Sequence, residues 1–186
     1  NGKLLLAGDF LFGARRLNAD GSAESLQSKS RSPEVIVGTG YDAVLLSDGK
    51  VLVAHGEGSG FATDFRVIRL NSDLTLDDSF QIMPAEKTRV LDINLLSNGK
   101  FIASGEFVST NNQTHVYIAR MNESGSVDSS FNPQVNSIGR IQAIKRQPDG
   151  KILIGGIFEY VNGIRKTNIA RLNANGSLDS SFNIPF

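Results

Sequence analysis

Asp149-Gly150-Lys151-Ile152-Leu153-Ile154-Gly155-Gly156-Ile157-Phe158 is the stretch that decides the fold. Its Asp-Gly pair is a tight-turn signal of the hairpin kind, and the apolar run behind it is short and bounded by turns. Such a run reads as a strand buried on both faces. Two adjacent glycines would weaken a helix, and in a strand they let a neighbouring sheet approach closely. Outward from this run, residues 138–147 read as the strand that enters the turn. A polar loop and a third strand at 167–173 follow. Asn175-Gly176 supplies a second hairpin turn, and residues 178–182 read as a short fourth strand.

The same series recurs along the chain. The turn and lysine appear as Asn1-Gly2-Lys3, Asp48-Gly49-Lys50, Asn98-Gly99-Lys100 and Asp149-Gly150-Lys151. Each is followed by an Arg-apolar-Asn element: Arg16-Leu17-Asn18, Arg69-Leu70-Asn71, Arg120-Met121-Asn122 and Arg171-Leu172-Asn173. An acidic-Ser-Phe closer ends three units with Phe80, Phe131 and Phe182, spaced 51 residues apart, while the first unit has only Glu24-Ser25-Leu26. Three landmarks in constant order exclude coincidence and make the chain an array of about four copies of one unit. Four short antiparallel strands per unit at this period predict β-propeller blades, in an all-β chain with no 3.6-residue apolar stripe. The expected division is one propeller over 1–186, with blades at approximately 1–27, 28–81, 82–132 and 133–186. The first unit opens after a missing strand, so a segment of a larger ring is expected rather than a closed four-bladed one.

The string from Gln147 to Phe158, then Asn162-Gly163, then Ile169-Ala170-Arg171-Leu172-Asn173, then Gly176-Ser177-Leu178-Asp179-Ser180-Ser181-Phe182-Asn183 resembles the delta-60 repeat. That repeat defines a bacterial propeller-like family of unknown function. The resemblance runs through essentially the whole chain and is most specific in the third and fourth units. It implies a large secreted or surface-anchored bacterial protein, commonly with adhesion or carbohydrate-binding modules elsewhere. It implies no catalytic residues.

Composition narrows the function classes. Nineteen basic and 19 acidic residues cancel, leaving neither the basic excess nor the basic stripe that phosphate neutralisation requires, so no nucleic-acid partner is expected. No apolar run approaches the roughly 18 residues of a spanning helix, so direct membrane insertion is not expected. Absence of cysteine removes disulfides, thiolate metal sites and cysteine nucleophiles together. The chain holds no Gly-x-Ser-x-Gly elbow, no His-Glu-x-x-His and no phosphate-cradling loop leading into a helix. No catalytic residue, bound cofactor or metal is therefore expected.

Three features invite a chemical reading. The loop Asn18-x-Asp20-Gly21-Ser22-x-Glu24 spaces oxygen ligands like a calcium loop, and Asn18, Asp20 and Glu24 are the best calcium candidates. Against calcium, carboxylates are few and unit two carries Leu74 at the glycine position, so a hairpin turn with local Asx bonding is preferred. His55 stands where other units have Gly8, Gly105 and Gly156, with Glu57 two residues on. His-Gly-Glu is the pattern of a metal or acid–base pair, but one histidine and one carboxylate fall short of a metal set, and a one-residue slip of a degenerate blade explains them as well. The repeated arginine and the aspartate eight residues later, across a turn, predict a charge-assisted bond locking each blade.

If strands alternate up and down, both tight turns share one face, and the loop after the second strand lies on the other. Loops on a rigid scaffold concentrate binding residues, and this loop varies: Lys3 to Arg16 spans 13 residues, Lys151 to Arg171 spans 20. Its binding-face candidates are Phe61, Asp64, Asn111, Asn112, His115, Tyr160, Asn162 and Arg165. The expected function is a non-enzymatic extracellular or cell-surface module that binds a protein or glycan through these loops, with the remaining blades of the same propeller as further partners. The alternatives are a lyase or hydrolase with a site in the central channel, and a structural spacer of a large surface protein.

Overall fold

A computed structural model describes residues 4–7, 9–11, 14–23, 37–57, 64–80, 89–108, 115–136 and 140–184. Among them every regular element is a β-strand. Unit one supplies β1 (Leu4–Ala7), β2 (Asp9–Leu11) and β3 (Ala14–Leu17). Unit two supplies β4 (Val37–Leu45), β5 (Val51–Glu57) and β6 (Asp64–Leu70). Unit three supplies β7 (Arg89–Leu95), β8 (Phe101–Val108) and β9 (His115–Met121). Unit four contains β10 (Val135–Asn136), β11 (Ile141–Arg146), β12 (Ile152–Gly156), β13 (Tyr160–Val161), β14 (Ile164–Arg165) and β15 (Ile169–Leu172).

Each complete unit is an antiparallel meander, β4-β5-β6, β7-β8-β9 or β11-β12-β15, and in unit one β1 pairs with β3. The Asp-Gly-Lys turns close as expected: Gly150 N–H donates to Gln147 C=O at 3.0 Å, and Gly150 has φ +83°, a left-handed conformation that other residues resist. Both tight turns of a unit do share a face, since a Cβ on Gly49 would lie 3.4 Å from Ser72.

The core lies between units, not inside one. Leu52, Ala54, Val67 and Phe80 of unit two pack with Val90, Phe101, Ala103 and Met121 of unit three. Ile102, Ile118 and Phe131 of unit three pack with Ile152, Ile154, Ala170 and Leu172 of unit four. Val51, Val53, Ile68 and Leu70 form the third cluster, towards Leu5 of unit one. Alternate residues of β5 thus face opposite neighbours, which is why an uninterrupted apolar run suits a strand inside a stack. Each buried Leu, Ile or Phe contributes about 2 kcal/mol, so most stability resides at the joints.

Two local features differ from the expected strands. The fourth strand shrinks to a single bridge, Leu76 to Leu70, Val127 to Met121 and Leu178 to Leu172. The following closer is a turn because Asp179 Oδ1 accepts from both the amide and the hydroxyl of Ser181, an Asx arrangement that competes with the ladder. Inside the polar loop of unit four, Asn162-Gly163 folds a second hairpin, β13–β14, with φ of +51° and +77° at the two turn residues.

Candidate functional site

The repeated charges form the frame. In unit two Asp77 Oδ2 accepts from Arg69 Nε and Lys50 Nζ, both at 2.8 Å, while Oδ1 accepts from Ser79. Units three and four repeat this with Lys100, Arg120, Asp128 and Ser130, and with Lys151, Arg171, Asp179 and Ser181. Burial opposes ionisation of Asp77, yet the Lys50, Ser79 and Arg69 donors outweigh it and hold the carboxyl well below the ordinary range. The Lys100 and Ser130 donors do the same to Asp128, as Lys151 and Ser181 do to Asp179. Each guanidinium also covers the closing phenylalanine, 4.8 Å from the Phe80 centroid and 4.9 Å from Phe131. The blade lock expected from the spacing is present in three units.

The arginine also reaches across the joint. Arg16 Nη1 donates to Ser72 C=O at 3.0 Å, Arg69 Nη1 to Glu123 C=O at 2.7 Å, and Arg120 Nη1 to Ala174 C=O at 2.8 Å. The acceptor always belongs to the residue after the repeated asparagine of the next unit.

On this frame the unit-four loop is held rigidly. Asn162 N–H donates to Gln134 C=O at 2.7 Å and its Oδ1 accepts from Gln134 N–H at 2.8 Å. Its Nδ2 donates to Gly176 C=O at 3.3 Å. Lys166 Nζ donates to Phe182 C=O and to Asn183 Oδ1. Phe158 and Val161 are buried beneath the hairpin, while Tyr160, Ile164 and Arg165 stay exposed. Tyr160 and Arg165 are cross-strand partners and therefore share a face. Of the binding-face candidates, Tyr160 and Arg165 come together, and Asn162 is committed to the scaffold. Asp64 and His115 begin β6 and β9. Phe61, Asn111 and Asn112 lie outside the described residues, as does Glu24 of the calcium candidates.

Asn18 and Asp20 make the turn that local Asx bonding predicts. Asp20 Oδ1 accepts from the Ser22 amide and hydroxyl, and these donors, hydroxyl first, lower its pKa. Asn18 Nδ2 donates to Ser22 Oγ. The uncharged Asn173-Ala174-Asn175-Gly176-Ser177 loop makes the same three bonds, so the geometry needs no cation.

His55 is not the product of a slip. It pairs with Gly40, where the equivalent positions pair Val90 with Gly105 and Ile141 with Gly156. Cross-strand partners share a face, so large and small have exchanged strands. A Cβ on Gly156 would lie 2.2 Å from Arg140 C=O, which shows how little room the usual arrangement leaves. His55 is fully buried, neither ring nitrogen has a hydrogen-bond partner, and burial, with Arg66 adding to it, lowers its pKa to about 4. It is a neutral packing residue, which answers the metal or acid–base reading of His55.

One acidic pair was not anticipated. β-Bulges after Gly40 and Val90 turn Asp42 and Asp92 towards the next unit. Asp42 Oδ2 accepts from Ile93 N–H and Asp92 Oδ2 from Ile144 N–H, both at 2.8 Å. Burial raises the Asp92 pKa, and the adjacent Asp42 carboxyl adds to this against the opposing Ile144 donor. The signal was an aspartate seven residues before the turn glycines Gly49 and Gly99, absent in unit four, where Ala143 stands.

A model of the family described as "Domain of unknown function (DUF5122) beta-propeller" matches residues 1–25, 46–80, 96–131 and 147–182. The chain belongs to this family. The matched DUF5122 segments of the last three units run from the residue before the first turn to the closing phenylalanine, so they contain every member of the arginine–aspartate lock and leave out the first strands. The DUF5122 chain is thus a β-propeller whose described sheets do not close into a ring. No curated protein matches it. Among solved structures, that of a protein of unknown function from Bacteroides caccae aligns over 94% of this chain and 78% of its own, at 13% identity and a TM-score of 0.35.

Proposed function

We propose that this propeller is a non-enzymatic interaction module, secreted or on a bacterial cell surface, that binds a glycan or protein through the loops joining second and third strands. The observation that carries the reading is the β13–β14 hairpin. Its backbone is fixed by Asn162 and Lys166, and it exposes Tyr160 beside Arg165 with Ile164 adjacent. A ring face next to a guanidinium, ordered in advance, lowers the entropic cost of binding and suits a saccharide ring or a peptide bearing an acidic group. The delta-60 resemblance supports the same setting, through the adhesion and carbohydrate-binding modules that commonly accompany that repeat.

A channel enzyme is the second reading, favoured by the facing Asp42 and Asp92 carboxyls. Both already accept backbone amides, which suits them better to joining blades. Titrating the isotope-labelled chain with neutral and sulfated tetrasaccharides, and with an acidic peptide, separates the two. Shifts confined to the hairpin and abolished by Tyr160→Ala support the module. Shifts centred on Asp42 and Asp92, or turnover of a saccharide, overturn it.

A further inference from the structure

We infer that the solvent face of the small sheet β10–β13–β14 is a subsite for an acidic saccharide, in which Tyr160 takes the face of a pyranose ring, Arg165 its carboxylate and Asn136 its hydroxyls. The inference rests on the interaction-module reading above and commits that site to one ligand class.

The sheet brings the three side chains together. Asn136 of β10 is the cross-strand partner of Tyr160 of β13, which in turn partners Arg165 of β14. Partners across a ladder share a face, so amide, ring and guanidinium form one row, about 4.8 Å apart and about 10 Å from end to end. The alternate positions turn the other way: Val135 and Val161 are partners on the opposite face, and both pack into the core between units three and four. Asn136, Tyr160 and Arg165 are all exposed, and Arg165 carries the only charge in the three strands. Its guanidinium has no hydrogen-bond or ion-pair partner among the described residues. Glu159, the neighbouring acid, stands across from Lys166 and not from Arg165, with Lys166 N–H donating to its C=O at 2.8 Å. The scaffold bonds of Asn162 and Lys166 set the row before any ligand arrives, which spares the ordering entropy of binding.

The chemistry of the row selects its ligand. One face of a pyranose is a patch of C–H groups that settles on the negative face of an aromatic ring. The hydroxyls at its rim exchange hydrogen bonds with an amide, which both donates and accepts. A carboxylate on the same ring meets the guanidinium fork in two parallel bonds. An acidic peptide is the competing occupant, but main-chain pairing needs a length of strand edge, and β14 is two residues long. A neutral sugar would leave the Arg165 charge unused.

The test titrates the isotope-labelled full chain with trigalacturonate, with its neutral trimethyl ester and with a hexaglutamate peptide. The expected result is shifts centred on Asn136, Tyr160 and Arg165, with trigalacturonate bound at least about tenfold more tightly than the ester, as one charge-assisted pair requires. Arg165→Gln should bring trigalacturonate down to the affinity of the ester, and Tyr160→Ala should weaken both. Both side chains are exposed, so melting should stay within about 2 °C of the parent and the losses report on the site, not on the fold. Equal affinity for acid and ester, or hexaglutamate as the tightest ligand of the hairpin, overturns the acidic-saccharide inference and leaves the module reading standing. Shifts absent from the hairpin with every probe overturn both.

Discussion

Exchanging Gly40 and His55 for the pair found in the other units, Gly40→Val with His55→Gly, should remove a specific pH dependence of stability. The folded state holds His55 neutral, with its pKa lowered from 6.5 to about 4, so the unfolded chain binds the proton more readily. Stability from this group is complete above the unfolded value and falls as pH drops through 6.5 towards 4. Integrating the linkage gives a loss of about 2 kcal/mol between about pH 7.5 and about pH 5, and about 3 kcal/mol once the fall is complete. The lock aspartates scarcely contribute in that range, because their loss begins only near the ordinary carboxylate pKa. Urea denaturation followed by circular dichroism, at several pH values, measures the slope in the parent and in the exchanged chain. Each single change should destabilise, His55→Gly by leaving a cavity worth about 3 kcal/mol and Gly40→Val by about 1–3 kcal/mol of overpacking. The double variant should recover most of both losses and lose the slope, a strongly non-additive cycle. Additive losses, or a pH slope unchanged in the double variant, would refute the account of His55 as a cross-strand exchange.

Asp77→Ala strands Arg69 and Lys50 without their carboxylate and should cost about 3 kcal/mol in urea denaturation. In the parent chain the lock aspartates, held below the usual range, stabilise fully above about pH 4 and lose that contribution as pH falls further, so acid unfolding should steepen there. Gly156→Ala meets Arg140 C=O and should lower stability by about 2 kcal/mol or more, whereas Gly155→Ala, 3.9 Å from its nearest neighbour, should cost under about 1 kcal/mol; thermal melts of the two variants distinguish them. Leu74→Gly relieves a left-handed backbone at φ +66° worth about 1 kcal/mol but uncovers a buried side chain worth more, so net destabilisation is expected on melting.

What could be read in the sequence is what repeats within one unit. The two turns, the apolar second strand and the Arg–Asp pair announce themselves because their partners lie a few residues apart. Asp42 and Asp92 escaped because the amides they accept, those of Ile93 and Ile144, belong to the following unit. Asn162 looked like a loop residue open to a ligand because its partners, Gln134 and Gly176, flank it at a distance. His55 suggested a slip because the glycine that makes room for it lies across the sheet, 15 residues upstream. The fourth strand failed for a smaller reason: Ser79, Ser130 and Ser181 turn the aspartate back onto its own backbone.

The acceptor at every joint is a main-chain carbonyl, and Ser72, Glu123 and Ala174 serve equally. A handshake made with the backbone does not read the side chain that carries it. Substitution of Ser72, Glu123 or Ala174 itself therefore leaves this hydrogen bond in place, and what each joint matches by side chain is the apolar packing beside it. The loop between second and third strands makes none of these bonds, so its length can differ from unit to unit, 13 residues from Lys3 to Arg16 against 20 from Lys151 to Arg171, without disturbing them. The rule that orders the units is thereby written in the main chain, apart from the residues that vary on the surface.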